Sequence, residues 1–458
     1  MRYTKNICEK ITNLSYESLP KEVVQRAKEV ILDTIGVTLA GLKSDSANIL
    51  NEYIDLVGGY NKESTVIGRN KQTSSVHAAL INTATGHALD YDDVSWSTIG
   101  HPGVVTVAPA LALGEKYKST GKELITAIVA GYETMSAIGR GVVPDFMEKG
   151  WHSTATIGPF GSVATCGKML NLGVEEMVTA FGIIGSLAAG VKGNMGTMTK
   201  HLQVGRAAAN GVTAVLLAQK GFTASDKILE GKDCFCSVFA PKYKLDVMVE
   251  SFCNPFDLTS SGALFKKWPS CYSTNPCIEA ALKLSEEYDI VPEDVEKIEI
   301  ASTPLVLDVL FYNEPKTADE GKFSDQFCAA VALTKRRASI EEFTDEVVND
   351  PKIRELIKKT TLITDSELSE DGYALSSDKG PTKTRVTITL KNGQKLSEVI
   401  SIAKGAPQRR LSIEEVTEKY ESCAKYALQH DDITKSIELV MKLEKMENIS
   451  PLMDILGG

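Results

Sequence analysis

The chain has 458 residues, 43% hydrophobic and 24% charged, with 60 acidic against 50 basic side chains for a formal charge of -10. This composition excludes a single small module and a mainly disordered chain, and the acidic balance argues against a partner held through a nucleic-acid backbone. The apolar runs fall short of the roughly 20 residues that span a bilayer, and the start MRYTKNICEKITNL lacks a secretion-signal pattern, so a cytoplasmic protein without a membrane partner is expected.

In chain order, Pro20 stands where a helix can begin, and Val23, Val24, Ala27, Val30, Ile31, Ile35 and Leu39 then recur mostly at three- and four-residue intervals. This spacing predicts an amphipathic helix ending near Gly41. The short STVIG ending at Gly68 is the one clear strand of the first half. Helical patterns follow over Ser74 to Leu89, Val104 to Tyr117, Glu123 to Ile138, and the alanine-rich 205–220. After about residue 262 the pattern changes. Val295 to Ile300 reads as a strand, and Arg385 to Leu390 alternates before Asn392-Gly393, a hairpin signal. Helical stretches at Pro276 to Tyr288 and Ser324 to Lys335 flank the first of these strands, and Ser412 to Leu456 returns to helix. The expected fold is mainly α: a large helical domain built from both chain ends (1–262 and 401–458) with a smaller α+β domain (263–400) inserted between them.

Nine cysteines are scattered without a CxxC pair, which argues against a disulfide framework, a structural zinc site or an iron–sulfur cluster. Two of the six histidines, His87 and His101, bracket HALDYDDVSWSTIGHPG, with Asp90, Asp92 and Asp93 between them. If the segment begins as a helix end, His87 and Asp90 share a face at three-residue spacing. Carboxylates beside imidazoles orient a general base, although capping aspartates and satisfied core histidines would give the same pattern. The histidine spacing matches no HxxxH or HExxH motif, so no metal is expected.

A second cluster, GWHSTATIGPFGSVATCGK, places His152 before a glycine-rich helix start. A third, KGNMGTMTKHLQVGRAAANG, holds Lys192, Lys200, His201 and Arg206 among small residues. A lysine emerging there could clamp a carboxylate or act with a shifted pKa, while a solvated surface lysine is the plainer alternative. Lys266, Lys267 and Tyr272 in KKWPSCYSTNP, and Tyr312 in LFYNEP, form a weaker fourth group.

These segments in order resemble the MmgE/PrpD family, which includes 2-methylcitrate dehydratases, cis-aconitate decarboxylases and an iminodisuccinate epimerase. The resemblance rests on ESLPKEVVQRAKEVILDTIGVTLAG, GHALDYDD…HPG, TK…GRAAANGVTAVLLAQKGFTASDKILEG, KFSDQF and VTITLKNGQKLSE…KGAP, and spans nearly the whole chain. It implies a helical domain, an α/β lid, a cleft between them and a homodimer. It also implies a lyase that needs no cofactor and moves a proton next to a carboxylate of a small polycarboxylic acid. A 2-methylcitrate or citrate-like dehydratase is the simplest case, with decarboxylase, epimerase and a catalytically silent metabolite-binding scaffold as alternatives. Carried over by motif, Asp90, His101, His152, Lys200 and Tyr312 are the expected catalytic residues, with Asp90 orienting His101. Arg206 and Lys266 are the expected substrate-binding helpers. Three positions depart from the family pattern: Val94 where Thr or Ser often stands, and Gln203 and Asn275 where His often stands. These changes remove a hydroxyl and two imidazoles, which leaves the named substrate open.

Overall fold

The computed structural model describes residues 2–58, 61–143, 145–368 and 383–458. The helix Lys21–Gly41 follows Pro20 as expected, but it is not a surface helix: from Val23 to Gly41 every residue except Gln25 is buried. Its polar positions are absorbed inside the protein, as where Arg26 pairs with Glu29 at 2.5 Å and donates to the Ala263 carbonyl at 2.6 Å. Around it pack the helices Ser75–His87, Pro102–Tyr117, Gly121–Val142 and Ile413–Ala424. The last of these comes from the far end of the chain. Helices Gly158–Met169 and Met198–Gln219 complete this body. Small residues let the helices approach closely: a Cβ on Gly131 would lie 1.8 Å from Thr165 Oγ1 and 2.5 Å from the Gly161 carbonyl oxygen.

Two strands, β1 (Ser64–Val66) and β2 (Lys71–Thr73), form an antiparallel hairpin at the edge of this body. The larger sheet lies in the middle of the chain and contains β3 (Val295–Ser302), β4 (Thr360–Thr364), β5 (Thr384–Leu390) and β6 (Lys395–Ile400), in the order β4-β3-β5-β6. The β3–β4 pair is parallel and the other two are antiparallel. The Asn392-Gly393 turn joins β5 to β6, with Gly393 at φ 85° as such a turn requires. Val386 and Ile388 point from β5 into a core shared with the helices Asn275–Glu287, Asp325–Lys335 and Pro351–Lys359. On the other face Thr387 and Ser397 are paired and exposed, the alternation expected of an antiparallel sheet covered on one side. The fold is mainly α with a small α+β part.

One hydrophobic core joins residues from Ile7 to Phe265 with residues from Leu411 to Leu456, and a second gathers Leu264 to Ala406. The second also takes in Val94 and Trp96. The link is a two-stranded bridge in which Val94 and Leu264 exchange backbone hydrogen bonds of 2.9 and 3.0 Å. Among the described residues no helix is long and apolar enough to cross a membrane.

Candidate active site

The helix Ser75–His87 ends at His87, and the chain then turns through Asp90 in the left-handed region at φ 50°. Asp tolerates that conformation better than most residues. His87 and Asp90 therefore do not share a helix face. Asp92 and Asp93 instead point inward, fully buried, from the loop that leads to His101. Asp93 fixes that loop: its Oδ1 accepts the Gly103 N–H at 2.9 Å and its Oδ2 the Tyr132 hydroxyl at 2.9 Å. A Cβ on Gly103 would fall 2.1 Å from Asp93 Oδ1, so only glycine permits the contact. Farther along, Ser95 and Ser97 donate to Asp257 at 2.6 and 2.5 Å.

His101 stands at the residue before the helix Pro102–Tyr117, and its backbone N–H donates to Thr154 Oγ1 at 3.1 Å. His152 stands at the residue before the short helix Ser153–Thr156, and its Nδ1 lies 3.4 Å from Gln203 Oε1. Lys200 stands in the first turn of Met198–Gln219, and Lys266 follows the bridge at Leu264. Segments far apart in sequence thus converge. Lys200 Nζ is 3.3 Å from Asp90 Oδ2 and 2.6 Å from His87 Nε2, and Lys266 Nζ is 2.5 Å from Asp90 Oδ1. Asp92 Oδ2 is 2.8 Å from His87 Nδ1 and 3.1 Å from His101 Nδ1, the second contact short but off the hydrogen-bond direction. His101 Nε2 lies 3.7 Å from Asp90 Oδ1, so the carboxylate nearest His101 is Asp92 and not the expected Asp90. The His87 ring centre is 4.6 Å from that of His101, 6.0 Å from that of His152 and 6.3 Å from that of His201.

Burial alone would raise both carboxyls, but Lys200, Lys266 and His101 hold Asp90 well below the usual range, and His101 and His87 do the same for Asp92. Burial lowers His87 to about 4 against the pull of Asp92, lowers His152 well below its ordinary value, and lowers His201 to about 3. Lys266 is raised, because Asp90 and Asp92 outweigh its burial. The centre thus sets two carboxylates beside the Lys200 and Lys266 side chains, with His87, His152 and His201 held toward the neutral imidazole. His87, Asp92 and His101 have ligand atoms within 4.8 Å of one another, as an ion would need. Here those atoms are turned to one another, and a cation there would face the Lys200 ammonium, 2.6 Å from the His87 ring.

Beside the cluster is a cavity lined by Asp90, Gly196, Thr197, Lys200, His201, Asp319, Lys322 and Phe323. Lys322 donates to the Ala88 carbonyl at 2.8 Å and to Asp319 at 2.7 Å, tying the end of the His87 helix to the middle of the chain. Of the expected site residues, Asp90, His101, Lys200 and Lys266 are in direct contact, and His152 adjoins them through His87. Tyr312 does not touch them: its hydroxyl donates to the Met195 carbonyl at 2.9 Å, with its ring against Gly196 at the cavity wall. Arg206 is exposed and directed to the Tyr53 hydroxyl at 3.3 Å, away from the cluster. The central place of His87 and Asp92, and the presence of Lys322, were not expected. The first two lay in the HALDYDD segment as unassigned polar groups, and Lys322 in KFSDQF carried no signal of its own. Among the departures, Val94 is buried in the second core, Gln203 pairs with His152, and Asn275 is buried with its amide toward Ser270 and the Cys271 carbonyl.

Residues 5–248 match the model of the MmgE/PrpD N-terminal domain and residues 268–445 that of the MmgE/PrpD C-terminal domain. Human cis-aconitate decarboxylase is 27% identical over 99% of this chain and 94% of its own length. The cis-aconitate decarboxylase of Aspergillus terreus (strain NIH 2624 / FGSC A1156) is 26% identical over 99% and 96%. The mitochondrial 2-methylcitrate dehydratase of Yarrowia lipolytica is 25% identical over 84% and 77%. With both domain models matched in order over most of its length, this chain belongs to the MmgE/PrpD family.

Proposed function

We propose that the protein is a lyase acting on a small polycarboxylic acid by proton transfer next to a carboxylate, using side chains alone. The observation that carries this reading is the buried Lys200 ammonium, held between Asp90 and His87 at the wall of a polar cavity. Bond cleavage next to a carboxylate leaves an electron pair that spreads onto the carboxylate oxygens, and a fixed ammonium in a dry site stabilises that charge without reorganising. His101 and His152, beside it, supply nitrogens that accept or return a proton. Two lyase reactions share this need. Loss of carbon dioxide from a cis-aconitate-type acid is favoured, because relatives named for that reaction match 99% of the chain. Loss of water from a 2-methylcitrate-type acid comes second, on relatives matching 84%.

In the same reading the middle of the chain, residues 263–400, serves as a lid over the cavity, with Lys266 and Lys322 reaching from it to Asp90 and Ala88. The protein works as a homodimer in the cytoplasm. The exposed stripe of Ile49, Tyr53, Leu56 and Val57 supports the first statement and nine free thiols the second. Proton NMR in D2O with cis-aconitate, 2-methylcitrate, citrate and iminodisuccinate tests the activity. Loss of carbon dioxide from cis-aconitate is expected. Loss of water would establish the dehydratase, deuterium exchange alone would indicate an epimerase, and no change with any of the four would overturn the reading.

A further inference from the structure

We propose that Asp92 is a positioning residue whose Oδ2 places the proton of His87 on Nδ1 and so turns the bare Nε2 to Lys200. Asp92 is fully buried, and its Oδ2 lies 2.8 Å from His87 Nδ1, while His101 Nδ1, 3.1 Å from the same oxygen, is off the hydrogen-bond direction. A carboxylate that close to a bare ring nitrogen would set two electron pairs against each other, whereas an N–H there is attracted.

On His87 the opposite nitrogen gives the same answer. Nε2 lies 2.6 Å from Lys200 Nζ, which can only donate, so Nε2 must be the bare nitrogen and the ring neutral. The depressed pKa of His87, caused first by burial, agrees. The run Lys200–His87–Asp92 is therefore one polarised chain, and the His87 ring aims the ammonium at the cavity wall. His101 stands beside it, with its Nε2 3.7 Å from Asp90 Oδ1. The other ionisable groups facing His87 are His152 and His201, at ring distances of 6.0 and 6.3 Å, and neither reaches its nitrogens to compete.

The His87 tautomer follows from geometry alone; its effect on rate rests on the proposed lyase activity, and the test separates the two. Nitrogen-15 NMR of histidine-labelled protein reads ring protonation directly, with signals assigned by their loss in His87→Gln and His101→Gln. In the wild type at pH 7, His87 should be neutral with its proton on Nδ1. Lys200 holds the same tautomer from the other side of the ring, so the test removes it: in Lys200→Met, Asp92 alone should keep the His87 proton on Nδ1, and in Lys200→Met/Asp92→Ala that hold should be lost and Nε2–H appear. Turnover of Asp92→Ala should fall on the order of 10²–10⁴-fold with KM changed less than about threefold. A purely structural role for Asp92 would lower the melting temperature without changing the tautomer. A wild-type His87 protonated on Nε2, or the same His87 tautomer in Lys200→Met with and without Asp92, would overturn the proposal. If the double variant does not fold, the Lys200→Met spectrum decides, since a His87 proton on Nε2 there overturns the proposal. If the wild type turns over none of the acids, the spectra still decide and only the lyase reading falls.

Discussion

Lys266 Nζ is 2.5 Å from both the carboxylate and the main-chain carbonyl of Asp90, across 176 residues of sequence. The pair joins the start of the second core to the turn that ends the Ser75–His87 helix, and both side chains are buried. The carbonyl contact also ties down a residue held in the left-handed region. Lys266→Met removes one ammonium from a buried pair and leaves Asp90 with Lys200 at 3.3 Å and His101 at 3.7 Å. Losing one partner of a buried ion pair costs roughly 3–5 kcal/mol, and the remaining Lys200 contact places the expected loss at the lower end. Denaturant unfolding measures it; a loss under about 1 kcal/mol would show that the pair does not hold the two cores together.

Asp325 concerns pH. It is fully buried, neither side-chain oxygen has a hydrogen-bond partner among the described residues, and burial pushes its carboxyl up to about 8. The unfolded chain ionises this group near pH 4, so the folded state binds the extra proton and stability falls as pH rises from about 4 to about 8. Asp93 and Glu133 are pushed up to about 8 as well, but both accept backbone hydrogen bonds and lie near other carboxyls, whereas burial shifts Asp325 with only the Cys277 thiol opposing it. Asp325 is therefore the cleaner probe. The melting temperature should fall between pH 5 and pH 8, and Asp325→Asn should flatten the fall; an unchanged slope would remove Asp325 as its source.

Gly131 tests the close helix packing. Its Cβ position is occupied by Thr165 Oγ1 and the Gly161 carbonyl, and the helix Gly158–Met169 continues the segment that carries His152. Gly131→Ala should destabilise by about 1–3 kcal/mol through overpacking, read as a lower midpoint with an unchanged m-value. Equal or higher stability would show that the helices can part without strain.

Tyr312 donates its hydroxyl to the Met195 carbonyl at 2.9 Å, with its ring against Gly196 at the cavity wall. That contact ties it to the Met195–Gly196 turn. Tyr312→Phe should lose about 1 kcal/mol of stability and less than tenfold in turnover. A loss of a hundredfold or more would instead identify Tyr312 as a proton donor.

The sequence showed the helices wherever apolar spacing ran for several turns, as in Lys21–Gly41 and Pro102–Tyr117, and it showed β3 and the β5–β6 hairpin through alternation and Asn392-Gly393. It did not show β2, which is only three residues long, or β4, which follows directly from the lysine-rich end of the helix Pro351–Lys359. The HALDYDD segment was legible as a candidate site, but its wiring was not. Spacing placed His87 and Asp90 on one helix face, whereas the helix stops at His87 and Asp90 turns left-handed, so Asp92 becomes the partner of His87. Lys266 and Lys322 reach the site through tertiary contacts spanning 176 and 234 residues, which no local pattern encodes. Arg206 points to Tyr53 and away from the cluster, because proximity in sequence to Lys200 says nothing of which side of the helix Met198–Gln219 it occupies.

The most direct measurement is the turnover of Lys200→Ala beside the wild type, by proton NMR in D2O on the acid the wild type converts, with melting temperatures recorded for both. Turnover at least a hundredfold lower in a protein that still unfolds cooperatively is the expected result. Turnover within about threefold of the wild type would contradict the assignment of the chemistry to the Lys200 centre.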